Sequence, residues 1–177
     1  MPIEIVAYDP SWPQVFEAER ARLSPLLADC EIHHVGSTAV PGLAAKPIID
    51  MALLVDSYEL PVGRLTEQAG YQYPRAFNST LSEKRFLCYP TPARRTHHVH
   101  LVVDPAELVR YLVFRDRLRA DRALAHQYEA LKRELAERHR DDREAYTEAK
   151  AEFVRRQTGP NAHRVTDALR CRSARMR

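Results

Sequence analysis

His34-Val35-Gly36-Ser37-Thr38-Ala39-Val40-Pro41-Gly42-Leu43-Ala44-Ala45-Lys46-Pro47-Ile48-Ile49-Asp50 joins two apolar segments through a turn suited to phosphate. Gly36 permits a tight reversal. Ser37 and Thr38 place hydroxyls and N–H groups at an expected helix N-terminus, where orphan amides and the helix dipole attract anions. The run from Pro47 to Val55 is apolar apart from Asp50, as expected of a central, largely buried strand. A carboxylate there needs a reason, and holding a divalent cation beside a phosphate is one.

Upstream, residues 31–35 read as a short strand. Asp9-Pro10-Ser11-Trp12-Pro13 opens a helix over 12–28, with Val15, Ala18, Leu23, Leu26 and Leu27 near helical spacing and Trp12 as a core anchor. Downstream, a helix is predicted over 57–69, stopped by Gly70. Residues 84–89 and 96–103 flank Pro90-Thr91-Pro92-Ala93-Arg94-Arg95 and read as an antiparallel hairpin. Alternation places His98, His100 and Val102 on one strand face and His97, Val99 and Leu101 on the other, while Arg85, Leu87 and Tyr89 fall together. From residue 104 the chain reads as helical, with caps at Asp104, at Asp121 and at Asp141 or Asp142, and these helices are expected to serve packing rather than catalysis.

With 177 residues, 45% of them hydrophobic, the chain can bury one substantial core, so a single domain over 1–157 is expected. Residues 158–177 carry Arg164, Arg170, Arg172, Arg175 and Arg177 against Asp167 and read as a basic, flexible tail. Cys30, Cys88 and Cys171 form no CxxC pair, and no apolar run approaches the roughly 18 residues that span a bilayer. A cytoplasmic protein without membrane contact is the expectation. Residues 1–90 hold 7 Lys/Arg against 11 Asp/Glu, net −4, and residues 91–177 hold 20 against 13, net +7, a bias towards an anionic ligand. Glu129 with Arg133, Glu134 with Arg138 and Glu152 with Arg156 have i,i+4 spacing, so much of that charge reads as a solvated helical face. The expected partner is therefore a nucleotide or similar small molecule rather than nucleic acid, with the oligomeric state open.

Tyr8-Asp9-Pro10-Ser11-Trp12-Pro13, the segment from His34 to Asp50, and His98-Val99-His100 resemble those of the GrpB family. So do Phe114-Arg115-Asp116-Arg117-Leu118-Arg119, Tyr128-Glu129-Ala130-Leu131-Lys132 and Tyr146-Thr147-Glu148-Ala149-Lys150, extending the similarity over about residues 5–155. The resemblance implies the nucleotidyltransferase fold: α+β, a mixed sheet of about five strands with packing helices and a helical C-terminal part. In that fold a Gly-Ser turn follows one strand and a carboxylate-bearing strand comes next, as Gly36-Ser37 and Asp50 do. Working enzymes of the fold carry a second acid two residues after the first. Here that position is Ala52, and His98-Val99-His100 stands where a later strand usually brings a third acid.

In the enzyme reading the phosphates of a nucleoside triphosphate lie on Gly36, Ser37 and Thr38, with Lys46 or Arg85 steadying the developing charge. Asp50 is the principal catalytic group, joined by Lys46 and by Ser37 as a positioning group. Lys46 either neutralises phosphate or ends the intervening helix, and Arg85 either turns inward to phosphate or faces an edge. Asp50, His98 and His100 form a candidate ligand set for magnesium or manganese, or for zinc through the histidine pair; otherwise the histidines simply hydrogen-bond Asp50. Two functions follow: metal-dependent nucleotidyl transfer to an undetermined acceptor, or a degenerate binding module. The resemblance connects the latter to dephospho-CoA kinase, to which some family members are fused.

Overall fold

The computed structural model describes residues 3–27 and 30–159; of the basic tail expected over 158–177, residues 160–177 lie outside the described residues, and Thr158 closes the last helix. Helix α1 (Trp12–Leu23) is shorter than the predicted 12–28 and passes into a single 3-10 turn over Ser24–Leu26. Pro25 explains the break, since its ring excludes the preceding turn's carbonyl and it has no N–H to donate. Strands β1 (His33–Val35) and β2 (Ile49–Leu54) flank the Gly36 turn. Helix α2 (Glu59–Glu67) tolerates Pro61 because it falls in the first turn, where its missing N–H has no helical acceptor. A short α3 (Arg75–Asn78), not anticipated, precedes the hairpin of β3 (Lys84–Pro90) and β4 (Arg95–Val102).

Helices α4 (Pro105–Ala120), α5 (Arg122–Arg138) and α6 (Arg143–Thr158) begin at Asp104, Asp121 and Asp142. Each aspartate accepts from a backbone N–H in the first turn of the helix that follows it. All three expected i,i+4 ion pairs are present on the surfaces of α5 and α6.

The sheet order is β1-β2-β4-β3, with β2 and β4 parallel and the other two pairings antiparallel. About five strands were expected; the described residues contain four. At the β3 edge a fifth is reduced to one bridge, Gln72 with Cys88, whose two backbone hydrogen bonds measure 2.8 and 3.0 Å. One sheet face presents Met51, Leu53, Leu87, Val99 and Leu101 to Trp12, Phe16 and Leu23 of α1 and Leu65 of α2, forming the main core. The other face presents Val35, Ala52 and Val102 to Leu108 of α4. Between that second face and α5 and α6 the packing opens into a cavity.

Candidate functional site

Parallel pairing sets Asp50 beside His98 and Ala52 beside His100, so the carboxylate and both imidazoles emerge from the second sheet face. Asp50 Oδ1 lies 2.9 Å from His98 Nδ1 and 3.3 Å from His100 Nε2 and accepts a hydrogen bond from each. Burial opposes ionisation of Asp50, but the bonds from His100 and His98 outweigh it and hold the carboxyl well below its usual range. At His98 burial prevails over the attraction of Asp50 and lowers the imidazole's pKa. The arrangement is a carboxylate anion held between two ring N–H donors.

One donor atom from each of these residues lies within 4.8 Å of the others, the spread of a two-imidazole, one-carboxylate ligand set. That set suits one cation. Support around it is thin: His98 Nε2 and His100 Nδ1 are buried without a hydrogen-bond partner, whereas a metal-held imidazole ordinarily donates its other N–H. Ala52 offers no ligand for a second cation, being 0% exposed and packed with Val35, Val102 and Leu108.

The turn above the carboxylate depends on Gly36, whose φ of 71° and ψ of −171° suit glycine alone. A Cβ there would come within 2.6 Å of Asp50 Oδ2, so glycine is also what lets strand and turn close. The expected helix N-terminus is only a 3-10 turn over Ser37–Ala39. Thr38 Oγ1 donates to Ile48 O at 3.3 Å and meets His34 Nε2 at 3.1 Å, so this hydroxyl is committed to the fold. His34 stacks on Phe16, and burial pushes its imidazole down to about 4. Ser37 instead meets Tyr128 of α5, whose phenol burial raises.

The cavity measures about 470 Å³. Its lining includes eight Lys or Arg residues, against the two carboxylates of Asp50 and Glu107. Lys46 Nζ lies 5.2 Å and Lys150 Nζ 4.2 Å from the Tyr146 ring centroid, and Lys132 Nζ lies 5.0 Å from that of Tyr128. Lys132 also donates to Ala44 O. Burial first, then neighbouring ammonium groups, push Lys132 and Lys150 down to about 7, and burial likewise lowers Lys46.

A family model described as GrpB protein matches residues 2–159. The chain belongs to the GrpB family. It is 45% identical over 164 residues to a UPF0157 protein of Pseudomonas aeruginosa, covering 89% of this chain and 66% of that one. It is 30% identical over 160 residues to the glutamate-rich protein GrpB of Alkalihalophilus pseudofirmus, covering 85% and 90%. A crystal structure of conserved protein GrpB from Enterococcus faecalis superposes with a TM-score of 0.76 at 38% identity, covering 91% of this chain and 98% of that one. A dephospho-CoA kinase of Mycolicibacterium paratuberculosis is 30% identical over 184 residues, covering 87% of this chain but 44% of that protein. The chain spans about two thirds of the Pseudomonas relative and 45% of a Bacillus subtilis one.

In this GrpB chain, Gly36, Ser37, Thr38, Lys46, Asp50, His98 and His100 all line one cavity. Arg85 does not. It pairs across the hairpin with Leu101, on the opposite sheet face, where it lies over the Tyr58 ring and donates to Leu81 O and Lys84 O. The inward phosphate contact considered for it is therefore corrected: the hairpin register puts Phe86 and Cys88, not Arg85, beside the histidines. The last helices do pack, through Leu124, Tyr128, Leu135 and Tyr146, and α5 and α6 also bring Lys132 and Lys150 to the cavity lining, which the sequence reading did not anticipate. The overlooked signal is Tyr-x-x-x-Lys occurring twice, at Tyr128/Lys132 and Tyr146/Lys150, which places a lysine on each otherwise apolar stripe.

Proposed function

We propose that this GrpB protein binds a nucleotide in the cavity between the sheet and α5–α6, and that its chemistry is nucleotidyl transfer assisted by one divalent cation. The observation that carries the reading is Asp50, fixed beneath the Gly36 turn and accepting from both His98 and His100 inside a strongly basic cavity. Asp50, His98 and His100 would hold magnesium, manganese or zinc, which would supply charge neutralisation at the α-phosphate. In the transfer, an acceptor oxygen bonds to the α-phosphorus, the α–β P–O bond breaks, and pyrophosphate leaves with the electron pair. The acceptor's proton passes to solvent base. Lys46, close to Asp50, screens charge on the phosphates.

Calorimetric titration of the purified chain with nucleoside triphosphates and magnesium or manganese tests this. Micromolar binding that Asp50→Asn abolishes supports the reading; absence of binding with any common nucleotide overturns it.

A second reading is supported by buried Ala52 and by the partial match to a dephospho-CoA kinase. Here the chain is a non-catalytic module that recognises a nucleotide-like ligand alongside coenzyme A synthesis. It contains no Gly-x-x-x-x-Gly-Lys phosphate loop of its own. Turnover of any nucleotide pair, abolished by Asp50→Ala, would exclude this module.

A further inference from the structure

The cavity's positive charge is concentrated away from the Gly36 turn. Lys46 precedes β2, Lys132 comes from α5 and Lys150 from α6, and each ammonium lies within about 5 Å of a tyrosine ring on those two helices. Lys46 and Lys150 share the same ring. Neither makes a hydrogen bond or salt bridge among the described residues, and Asp50, their nearest carboxylate, is already bonded to two histidines. Glu129, the acid closest to Lys132, is engaged by Arg133 and by Ala44 N. Arg143, at the start of α6, lines the same wall and adds to the field at Lys46. Three crowded ammonium groups without a committed carboxylate are unfavourable in a folded chain unless an anion joins them.

The turn itself is less suited to anions than its sequence implies. Its Thr38 hydroxyl is committed, and Asp50 Oδ2 packs directly against Gly36, which sets a carboxylate where a phosphate would otherwise approach.

We propose that Lys46, Lys132 and Lys150, with Arg143, form a subsite for a di- or triphosphate group that fills without a metal ion. The inference deepens the nucleotide reading, placing the β- and γ-phosphates on the C-terminal helices and leaving the α-phosphate nearest Asp50. The chemistry it recognises is the diphosphate, whether supplied as free pyrophosphate or as the tail of a nucleotide. Two phosphates carry enough charge to face three ammonium groups at once, more than a single sulfate does. Tyr128 and Tyr146 set a further constraint, holding the three ammonium groups near their ring faces, with Lys132 also donating to Ala44 O and keeping its other N–H groups for a ligand.

The test is calorimetric titration of the full chain with inorganic pyrophosphate in EDTA, with sodium sulfate and ATP as parallel titrants. Pyrophosphate is expected to bind at least about tenfold more tightly than sulfate, and Lys150→Gln to weaken it by at least about tenfold. Lys150→Arg keeps the charge and should retain most of the affinity, and Arg138→Gln, on the exposed face of α5, should leave it unchanged. Thermal melting separates lost binding from lost folding: Lys150→Gln removes a repelling charge, so the ligand-free variant should melt no lower than the unsubstituted chain. Pyrophosphate affinity unchanged in Lys150→Gln, or present only with magnesium, overturns the subsite. ATP binding that needs Asp50 and magnesium but ignores Lys150 overturns the subsite alone. Pyrophosphate binding that needs Lys150, with no ATP binding under any condition, preserves the subsite and overturns the nucleotide reading.

Discussion

Gly36 and Asp50 constrain one another across the turn. An alanine at 36 would carry a Cβ to within 2.6 Å of Asp50 Oδ2 and would also have to hold a φ of 71° with extended ψ. Backbone strain of about 1–3 kcal/mol and a comparable packing penalty predict that Gly36→Ala destabilises the fold by about 2–5 kcal/mol in urea denaturation. Gly42, also at positive φ but with open space around it, should lose less on the same change. Ala52 poses the converse question. Restoring an acid there as Ala52→Asp puts a charge among Val35, Val102 and Leu108, and is expected to cost about 3–5 kcal/mol rather than create a second cation seat. Retained stability together with a second bound manganese would contradict this. At this scale the sequence makes Asp50 stand out, because one acid interrupts an apolar run. The side of the sheet on which Arg85 falls is not legible, because it depends on hairpin register, and an irregularity at Tyr89/Pro90 shifts that register.

Helix starts are the most readable elements. Asp104, Asp121 and Asp142 each cap a helix because a short carboxylate in extended backbone reaches the N–H groups of the next turn, a purely local interaction. The end of α1 is set just as locally, by Pro25, yet the apolar spacing of Leu26 and Leu27 carries the expected helix past it to residue 28. The task of α5 and α6 is not local. Their tyrosine–lysine pairs look like ordinary stripe residues until the helices pack across the second sheet face and bring the lysines to the cavity that Asp50 also lines. Asp142 fixes α6 through bonds of 3.1 and 3.0 Å to Glu144 N and Ala145 N. Asp142→Ala should cost about 1 kcal/mol of stability and raise amide exchange in the first turn of α6. Unchanged exchange at Glu144 and Ala145 would show that this cap does not anchor the helix.

Across the whole molecule, four of the eight basic residues that line the cavity, Lys132, Arg143, Lys150 and Arg155, stand on the wall that α5 and α6 present to the sheet. The consequence is a stability that rises with pH where most proteins have passed their optimum. Lys132 is faced by Glu129 and Arg133 on its own helix, by Lys46 before β2 and by Lys150 on α6; Lys150 is faced by Lys46 and by Asp50 on β2. Burial and these cations push both lysines down to about 7 from an unfolded value of 10.5. Between those values the unfolded chain holds protons that the folded chain has released, so stability is full above 10.5, falls as pH drops, and levels off below about 7. For Lys132, which is 2% exposed, the loss is on the order of a few kcal/mol. His34, pushed down to about 4, adds a separate decline between about 6.5 and 4 by the same sign. Urea denaturation of the ligand-free chain should therefore give a higher midpoint at pH 9 than at pH 7. A charged ligand on the lysines raises their folded pKa and opposes the effect, so saturating pyrophosphate should flatten the rise between pH 7 and 9. A ligand-free midpoint that falls from pH 7 to 9 would mean that these lysines keep their protons in the folded chain and that their charges are already balanced.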